Sequence, residues 1–413
     1  MHILRGGGVA AKHTMTPAAK LDELLSPAQI SERQGKPLLL SPNNSEEISA
    51  IARYANQHKL AIEITGAGTK RSWGNAIFPD LLLDTTHLTG ILSHSWQDLT
   101  ATVAAGTPWA DMQRVLAAHK QFVALDPLWP ETATVGGIIA TNDSGPMRLK
   151  YGSLRDLIIG MAIVLADGTI AKSGGKVVKN VAGYDLHKLM TGAFGTLGVI
   201  TEVTFRLHPL PKHSQTFTVS APQTAALAPL IAAIRDSHLL VEAMQLRGNP
   251  DGLHLDIQLN AHPDARHSEL LAKMSDSHSL TLEPNAGQVW RIRETLFADN
   301  SAFVVKACML PSEVIHFGSQ ILALGGTFVA QSSGIMIASF NAPEYTPTNK
   351  VVGLRGELEK CGGSLTVLRY TYPSRAGLPA NRIDETALPL MREIKQRFDP
   401  NRVLNFGRFM GGI

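Results

Sequence analysis

Residues Ile62–Ala76 read IEITGAGTKRSWGNA. The run LAIEIT, Leu60 to Thr65, alternates as a strand does, then breaks into Gly66-Ala67-Gly68 with Thr69, Lys70 and Arg71 behind it. No helical pattern follows. That excludes a Walker A loop, which needs Gly-Lys-Ser/Thr feeding a helix. The dinucleotide fingerprint G-x-G-x-x-G fails too, because its third glycine is displaced to Gly74. A strand and a Gly-x-Gly turn alone also describe an ordinary structural turn. The other reading is an anion nest, in which successive backbone N–H groups grip phosphate and the missing Cβ atoms permit close approach.

Working outward, PLLLSP (37–42) is a short strand. NNSEEISAIARYANQHK is a helix capped by Asn44 or Ser45, with Ile48, Ile51, Ala52 and Ala55 at helical spacing. These complete a βαβ unit that ends at the glycine turn. LLLD (81–84) and LTATVAAG (99–106) add strands, and Thr107-Pro108 opens a helix, with proline at its first position. TVGGIIATNDSG is a short small-residue helix or turn. LIIGMAIVLADGTIAKSG is a hairpin around Asp167-Gly168. YDLHKLM is a helix, and GVITEVTFRLHPLP a long strand closed by Pro209 and Pro211.

Beyond Lys212 the rhythm changes. Strand, helix, two strands, helix and strand run to SLTLEP, then VWRIRETLFAD forms a helix. The same order returns from AFVVKACML to GSLTVLRYT. Two βαββαβ passages predict two ferredoxin-like halves with antiparallel sheets. The expected fold class is α+β. Its divisions are an N-terminal extension (1–36), a ligand domain of two α/β subdomains (37–211), an α+β cap (212–385), and a C-terminal segment (386–413) that returns to the first domain.

Bulk properties narrow the class. The 413 residues carry a net charge of only +3, dispersed along the chain, with no basic block of the nucleic-acid kind. No apolar run approaches the roughly 20 residues of a membrane span, and glycines interrupt MHILRGGGVAAKHTM where a secretion signal needs an apolar core. A cytoplasmic chain is expected, reaching the inner membrane only through partners. Cys308 and Cys361 are expected to be buried free thiols. Two thiols cannot hold an iron–sulfur cluster, so any such cluster belongs to a partner.

Two further stretches complete the ligand set. DPLWPETATVGGIIATNDSGPMRLKYGSLRDLI gathers Gly136, Gly137, Ala140, Ser144 and Gly145 around Thr134 and Asn142. KNVAGYDLHKLMTGAFGTLGVIT places Gly195 and Gly198 about Thr196 at the mouth of a strand. In this order and spacing the three stretches resemble the FAD-binding domain of the vanillyl-alcohol-oxidase / p-cresol-methylhydroxylase (PCMH-type) superfamily, with FDPNRVLNFGR as its closing element. The run GGKVVKNVAGYDLHKLMTGAFGTLGVITEVTFRLHPLP is similar to the FAD-binding subunits of bacterial glycolate oxidases.

That resemblance implies a flavin pyrophosphate on Thr65, Gly66, Ala67, Gly68, Thr69 and Lys70. It implies ribityl and isoalloxazine contacts from Thr134, Gly136, Gly137, Asn142, Ser144 and Gly145. The adenosine side would lie on Gly195, Thr196, Gly198, Val199 and Ile200. No His or Cys stands in the first two stretches to tether the flavin, so the FAD is expected to be non-covalent. The tail departs from the usual Asn-Pro-Gly, reading Asn405-Phe406-Gly407, which is expected to loosen that turn.

Oxidising a 2-hydroxy acid needs a carboxylate clamp, a base for the hydroxyl proton and an acceptor for the hydride. Related dehydrogenases carry a histidine-rich metal motif in the cap. Here His254, His262 and His267 lack its spacing, and no metal is expected. Arg369, Tyr370 and Arg148 are the candidate substrate-facing residues, an arginine fork being suited to a carboxylate. Arg369 also reads as a strand-edge arginine making a surface pair. Lys150 and Tyr151 could lean on phosphate or substrate, whereas Lys176 and Lys179 read equally well as a solvated loop.

The implied function is an FAD subunit of a glycolate oxidoreductase complex, glycolate to glyoxylate, beside a catalytic flavoprotein and an iron–sulfur subunit. Competing readings are a self-sufficient FAD-dependent D-2-hydroxy acid (D-lactate type) dehydrogenase and a non-catalytic assembly subunit.

Overall fold

The computed structural model describes residues 24–31, 36–175, 185–260, 266–285, 287–300, 302–340, 348–370, 380 and 385–413. Lys176, Lys179 and His262 lie outside them. The first sheet joins β1 (Ile30–Ser31), β2 (Leu38–Leu40), β3 (Ile62–Thr65) and β4 (Leu81–Asp84) in the order β1-β2-β4-β3. The pairs β2/β4 and β4/β3 are parallel, so their links cross over. One crossover is the helix Ser45–His58, whose Asn44 side chain accepts the Glu47 N–H at 2.8 Å, with Glu46 and Glu47 in the first turn. Its Ile48, Ile51, Ala52 and Ala55 are buried against β3 and β4. Leu25 and Ile30 join that same core, so residues 24–31 pack with the first sheet rather than trailing from it as an extension.

The second sheet joins β5 (Ile91–Ser95), β6 (Thr100–Ala104), β8 (Ile158–Val164), β9 (Ile170–Gly174) and β10 (Val199–Arg206). Its order is β5-β6-β10-β8-β9, antiparallel throughout. Gly168 takes φ +84° in the β8–β9 turn. β7 (Gln121–Phe122) pairs with β11 (His208–Pro209) beside this sheet. The helix after Thr107 begins at Trp109, one residue later than expected. The Thr107 hydroxyl donates to the Ala104 carbonyl at 2.7 Å instead of capping.

The remaining strands form one antiparallel sheet of eight. Its first half is β12 (Gln215–Ala221), β13 (Val241–Asn249), β14 (Gly252–Leu259) and β15 (Leu282–Asn285). The second is β16 (Phe303–Cys308), β17 (Thr327–Gln331), β18 (Ile335–Phe340) and β19 (Ser364–Arg369). The order is β15-β12-β14-β13-β17-β18-β16-β19. Each half has the ferredoxin-like order, and the two meet where β13 pairs with β17. Because side chains alternate across a strand, Phe303, Val305, Phe328 and Ala330 face the helices while Val304, Val329 and Gln331 face the first two sheets.

The segment Gln288–Phe297 linking the halves is helical as expected, in the tighter 3₁₀ form. Its Leu296 and Phe297 pack with Trp73, Leu128, Val304 and Val329 between cap and ligand domain. Both cysteines are free, but Cys308 is half-buried and Cys361 exposed, correcting the expectation of two buried thiols. Cys361 falls in the turn after the helix Thr348–Lys360, where nothing covers it.

Candidate functional site: a donor-lined cleft

Four segments far apart in sequence meet at one solvent-open cleft: 64–71, 134–141, 194–200 and the tail at Asn405 and Arg408. Their contacts dictate the glycines. A Cβ on Gly66 would lie 2.2 Å from Thr134 Oγ1, so only glycine lets the first segment close on the second. A Cβ on Gly195, whose φ is +71°, would lie 2.7 Å from Asn405 Nδ2. Thr134 caps the helix Val135–Thr141, its hydroxyl accepting the Gly137 N–H at 3.3 Å.

The donor set fits a diphosphate. Among the described residues, the N–H groups of Gly66, Ala67, Gly68, Thr69 and Lys70 find no protein acceptor. Five consecutive free amides beside a solvent-open cleft form the nest expected for a phosphate ligand. Buried Glu63 holds two arginines on the same wall. Arg71 donates through Nε at 2.7 Å and Nη2 at 2.5 Å, and Arg408 through Nη1 at 3.2 Å. The hydrogen bond to Glu63 pushes the Arg71 guanidinium above its usual value. Two cations on one carboxylate leave a net positive charge beside the free amides, which attracts an anion.

Behind the cleft lies a buried polar network. Lys70 Nζ is 3.2 Å from Asp143 Oδ2 and sits over the rings of Trp129 and Trp73 at 5.4 and 5.8 Å. Burial pushes its ammonium below the ordinary lysine value, opposed by Asp143. Arg293 donates to the Ser144 carbonyl at 2.9 Å and to the Asp126 carbonyl at 2.5 Å, and Gln331 Nε2 reaches the Ser144 carbonyl at 2.7 Å. Asp126 is half-buried, and desolvation raises its carboxyl to about 6 against the pull of Arg293.

Of the residues singled out in the sequence, Thr65 to Lys70, Thr134, Gly136, Gly137, Gly195, Gly198 and Ile200 line the cleft. Asn142, Ser144, Gly145, Thr196 and Val199 do not. Val199 faces the core, and the Thr196 hydroxyl is engaged by the Ala193 carbonyl at 2.7 Å. Ser144 and Gly145 lie deeper, and a Cβ on Gly145 would meet the Asp126 carboxylate at 2.4 Å. Asn142 Oδ1 is buried with no hydrogen-bond partner among the described residues. Glu63, Asp126, Phe194, Arg293, Gln331 and Arg408 were missed. The tail carrying Arg408 is legible as the closing element, but nothing in the local sequence of Arg293 or Gln331 indicates a contact with Ser144.

The substrate-facing candidates fall elsewhere. Arg369, read as a carboxylate fork, gives its guanidinium to the carbonyls of Ala302 and Phe297, each at 3.0 Å, and of Asp299. It staples Phe297, Asp299 and Ala302 to β19, so the fork is occupied by backbone. Tyr370 stands edge-on to Phe303 at 6.0 Å. Arg148 opens a one-turn helix outside the cleft lining, and Lys150 on that helix pairs with buried Glu242 of the cap at 2.8 Å. His254 bonds Ser220 at 2.9 Å. The turn at Asn405-Phe406-Gly407 is not loosened: the Arg408 N–H closes on the Asn405 carbonyl at 3.1 Å, and Gly407 supplies φ +92°.

Comparison with known proteins agrees with this geometry. A family model described as an FAD binding domain matches residues 37–174. The chain is 35% identical to glycolate oxidase subunit GlcD of Bacillus subtilis, over 90% of this chain and 88% of that protein. It is 27% identical to D-lactate dehydrogenase of Archaeoglobus fulgidus over 90% of each. Glycolate oxidase subunit GlcE of Escherichia coli is 36% identical over 40% of this chain and 48% of that one. A solved alkyldihydroxyacetonephosphate synthase superposes with TM-score 0.69 at 16% identity, covering 95% of this chain and 86% of that one, which is a likeness of fold.

Proposed function

This chain belongs to the FAD-binding oxidoreductases that include the glycolate oxidase subunits, and from that premise we propose that it is the FAD-holding subunit of a multi-subunit glycolate oxidoreductase, glycolate to glyoxylate. It is an FAD-dependent 2-hydroxy acid oxidoreductase by family. When bound, FAD supplies a two-electron acceptor. In this reading the amides of Gly66 to Lys70 hold the diphosphate and Arg71 and Arg408 offset its charge. Thr134, Gly136 and Gly137 give the flavin a flat small-residue wall. In this reading the FAD is held non-covalently.

The observation that carries the subunit role is chemical. The described lining offers donors and cations but no His, Asp or Glu to take a hydroxyl proton. Arg369 is occupied by carbonyls. The acid–base step then falls to a partner flavoprotein, with an iron–sulfur subunit completing the assembly.

The test is anaerobic addition of glycolate or D-lactate to the FAD-loaded chain alone and to the complex co-purified from native extract. Flavin absorbance that persists in the isolated chain and bleaches in the complex supports the reading. Bleaching of the isolated chain makes it a self-sufficient dehydrogenase. A chain with no FAD affinity is an assembly subunit.

A further inference from the structure

We propose that the segment Lys395–Arg408 is a C-terminal latch, in which Asn405 positions two walls of the cleft so that docking of the latch and retention of FAD are thermodynamically coupled. This rests on the reading of the cleft as the FAD site.

The latch is built as a buried relay. Lys395, inside the helix Leu388–Phe398, donates Nζ to the Thr196 carbonyl at 2.6 Å and the Leu404 carbonyl at 2.9 Å, and pairs with Asp399 at 2.6 Å. Asp399 accepts the N–H groups of Val403 and Leu404 at 2.9 and 2.8 Å. The chain then runs as a short parallel partner to the free edge of β3. The Ile62 N–H donates to the Val403 carbonyl at 2.7 Å, and the Asn405 N–H to the Ile62 carbonyl at 2.9 Å.

Asn405 is 2% exposed and holds φ +42°, a left-handed conformation in which asparagine is among the few tolerated residues. From there its Oδ1 accepts the Ile64 N–H at 2.8 Å, and its Nδ2 donates to the Phe194 carbonyl at 2.6 Å. One side chain thus fixes the strand that aims the Gly66–Gly68 nest and the Phe194–Gly195 turn on the opposite wall. Arg408 finishes the closure on the Trp73 and Arg71 carbonyls. Both bridging bonds come from this one side chain of the tail, 341 residues from Ile64 and 211 from Phe194. A ligand gripping both walls favours the latched state, and by linkage the latch strengthens the ligand by the same factor.

The test uses the full chain with Asn405→Gly, since glycine accepts the positive φ and keeps the turn while deleting both bridging bonds. FAD affinity is read by flavin fluorescence and latch docking by amide exchange of residues 395–408 with and without FAD. Expected is FAD binding weakened at least tenfold, with FAD-induced protection of 395–408 reduced by a matching factor. Exchange in β12–β14 should change little, while the melting temperature of the FAD-free chain should fall, because two buried hydrogen bonds are lost. Asn405→Asp, which keeps the acceptor for Ile64 and sets a carboxylate against the Phe194 carbonyl, is expected to weaken FAD by an intermediate factor and serves if the glycine variant does not fold. Wild-type affinity in both variants, or wild-type FAD binding that leaves 395–408 unprotected, overturns the latch while the FAD site stands. A wild-type chain that binds no FAD overturns the reading of the cleft itself.

Discussion

Gly66→Ala probes the closest approach in the cleft. The new Cβ lies 2.2 Å from Thr134 Oγ1 and 3.2 Å from Thr134 Cβ, so the hydroxyl must retreat by more than an ångström. Thr134 is buried and already holds the Gly137 N–H. Overpacking of this kind costs about 1–3 kcal/mol, and a displaced cap about 1 kcal/mol more. The turn that moves carries the free amides. A hydrogen bond to a charged phosphate oxygen is worth about 1.5–3 kcal/mol, so losing one weakens FAD roughly 10- to 100-fold. Titrating FAD into the deflavinated variant and following flavin fluorescence measures this directly. The reasoning also fixes a sign of coupling. Thr134→Ala alone loses the cap and weakens binding, yet in the Gly66→Ala background it removes the clashing hydroxyl and restores part of the affinity. Wild-type affinity in Gly66→Ala, or strictly additive losses in the double variant, would refute the account.

Asp143→Asn leaves the buried Lys70 ammonium without its carboxylate and should cost about 3–5 kcal/mol in denaturant unfolding; Lys70→Met, which leaves Asp143 with Arg293 at 4.0 Å, should cost less, and the double variant should lose less than the sum. Asp126 tests the pH dependence. Its folded-state carboxyl at about 6 lies above the ordinary 3.8, so its contribution to stability is full below about 4 and is lost as pH rises through about 6. Asp126→Asn should therefore gain in melting temperature relative to wild type between pH 4 and 7, and parallel profiles would contradict the burial argument. Arg369→Met removes three carbonyl contacts and should destabilise by about 2 kcal/mol with FAD affinity within twofold of wild type. A large loss of FAD affinity would return Arg369 to the site.

Local chemistry was legible because its rules are local. Glycine where a turn or a close approach demands it marked the first, second and third walls, and Asn44 with Ile48, Ile51, Ala52 and Ala55 declared a helix from its cap and period. The repeated βαββαβ order disclosed the cap, since each half makes its hairpin and crossovers within its own stretch of chain. The Gln288–Phe297 link reads as a helix in sequence, but its 3₁₀ form does not, because its apolar residues pack against cap and ligand domain together and tertiary contact sets the pitch. Arg369 misled for a related reason: a strand-end arginine looks the same in sequence whether its fork meets a substrate or three carbonyls. What tertiary structure alone decided is which distant groups touch. Asn405 meets Ile64 across 341 residues, and Arg293 meets Ser144 across 149. Such pairs depend on the angle at which separately folded layers pack, and no periodicity or turn signal within either partner's neighbourhood encodes that angle.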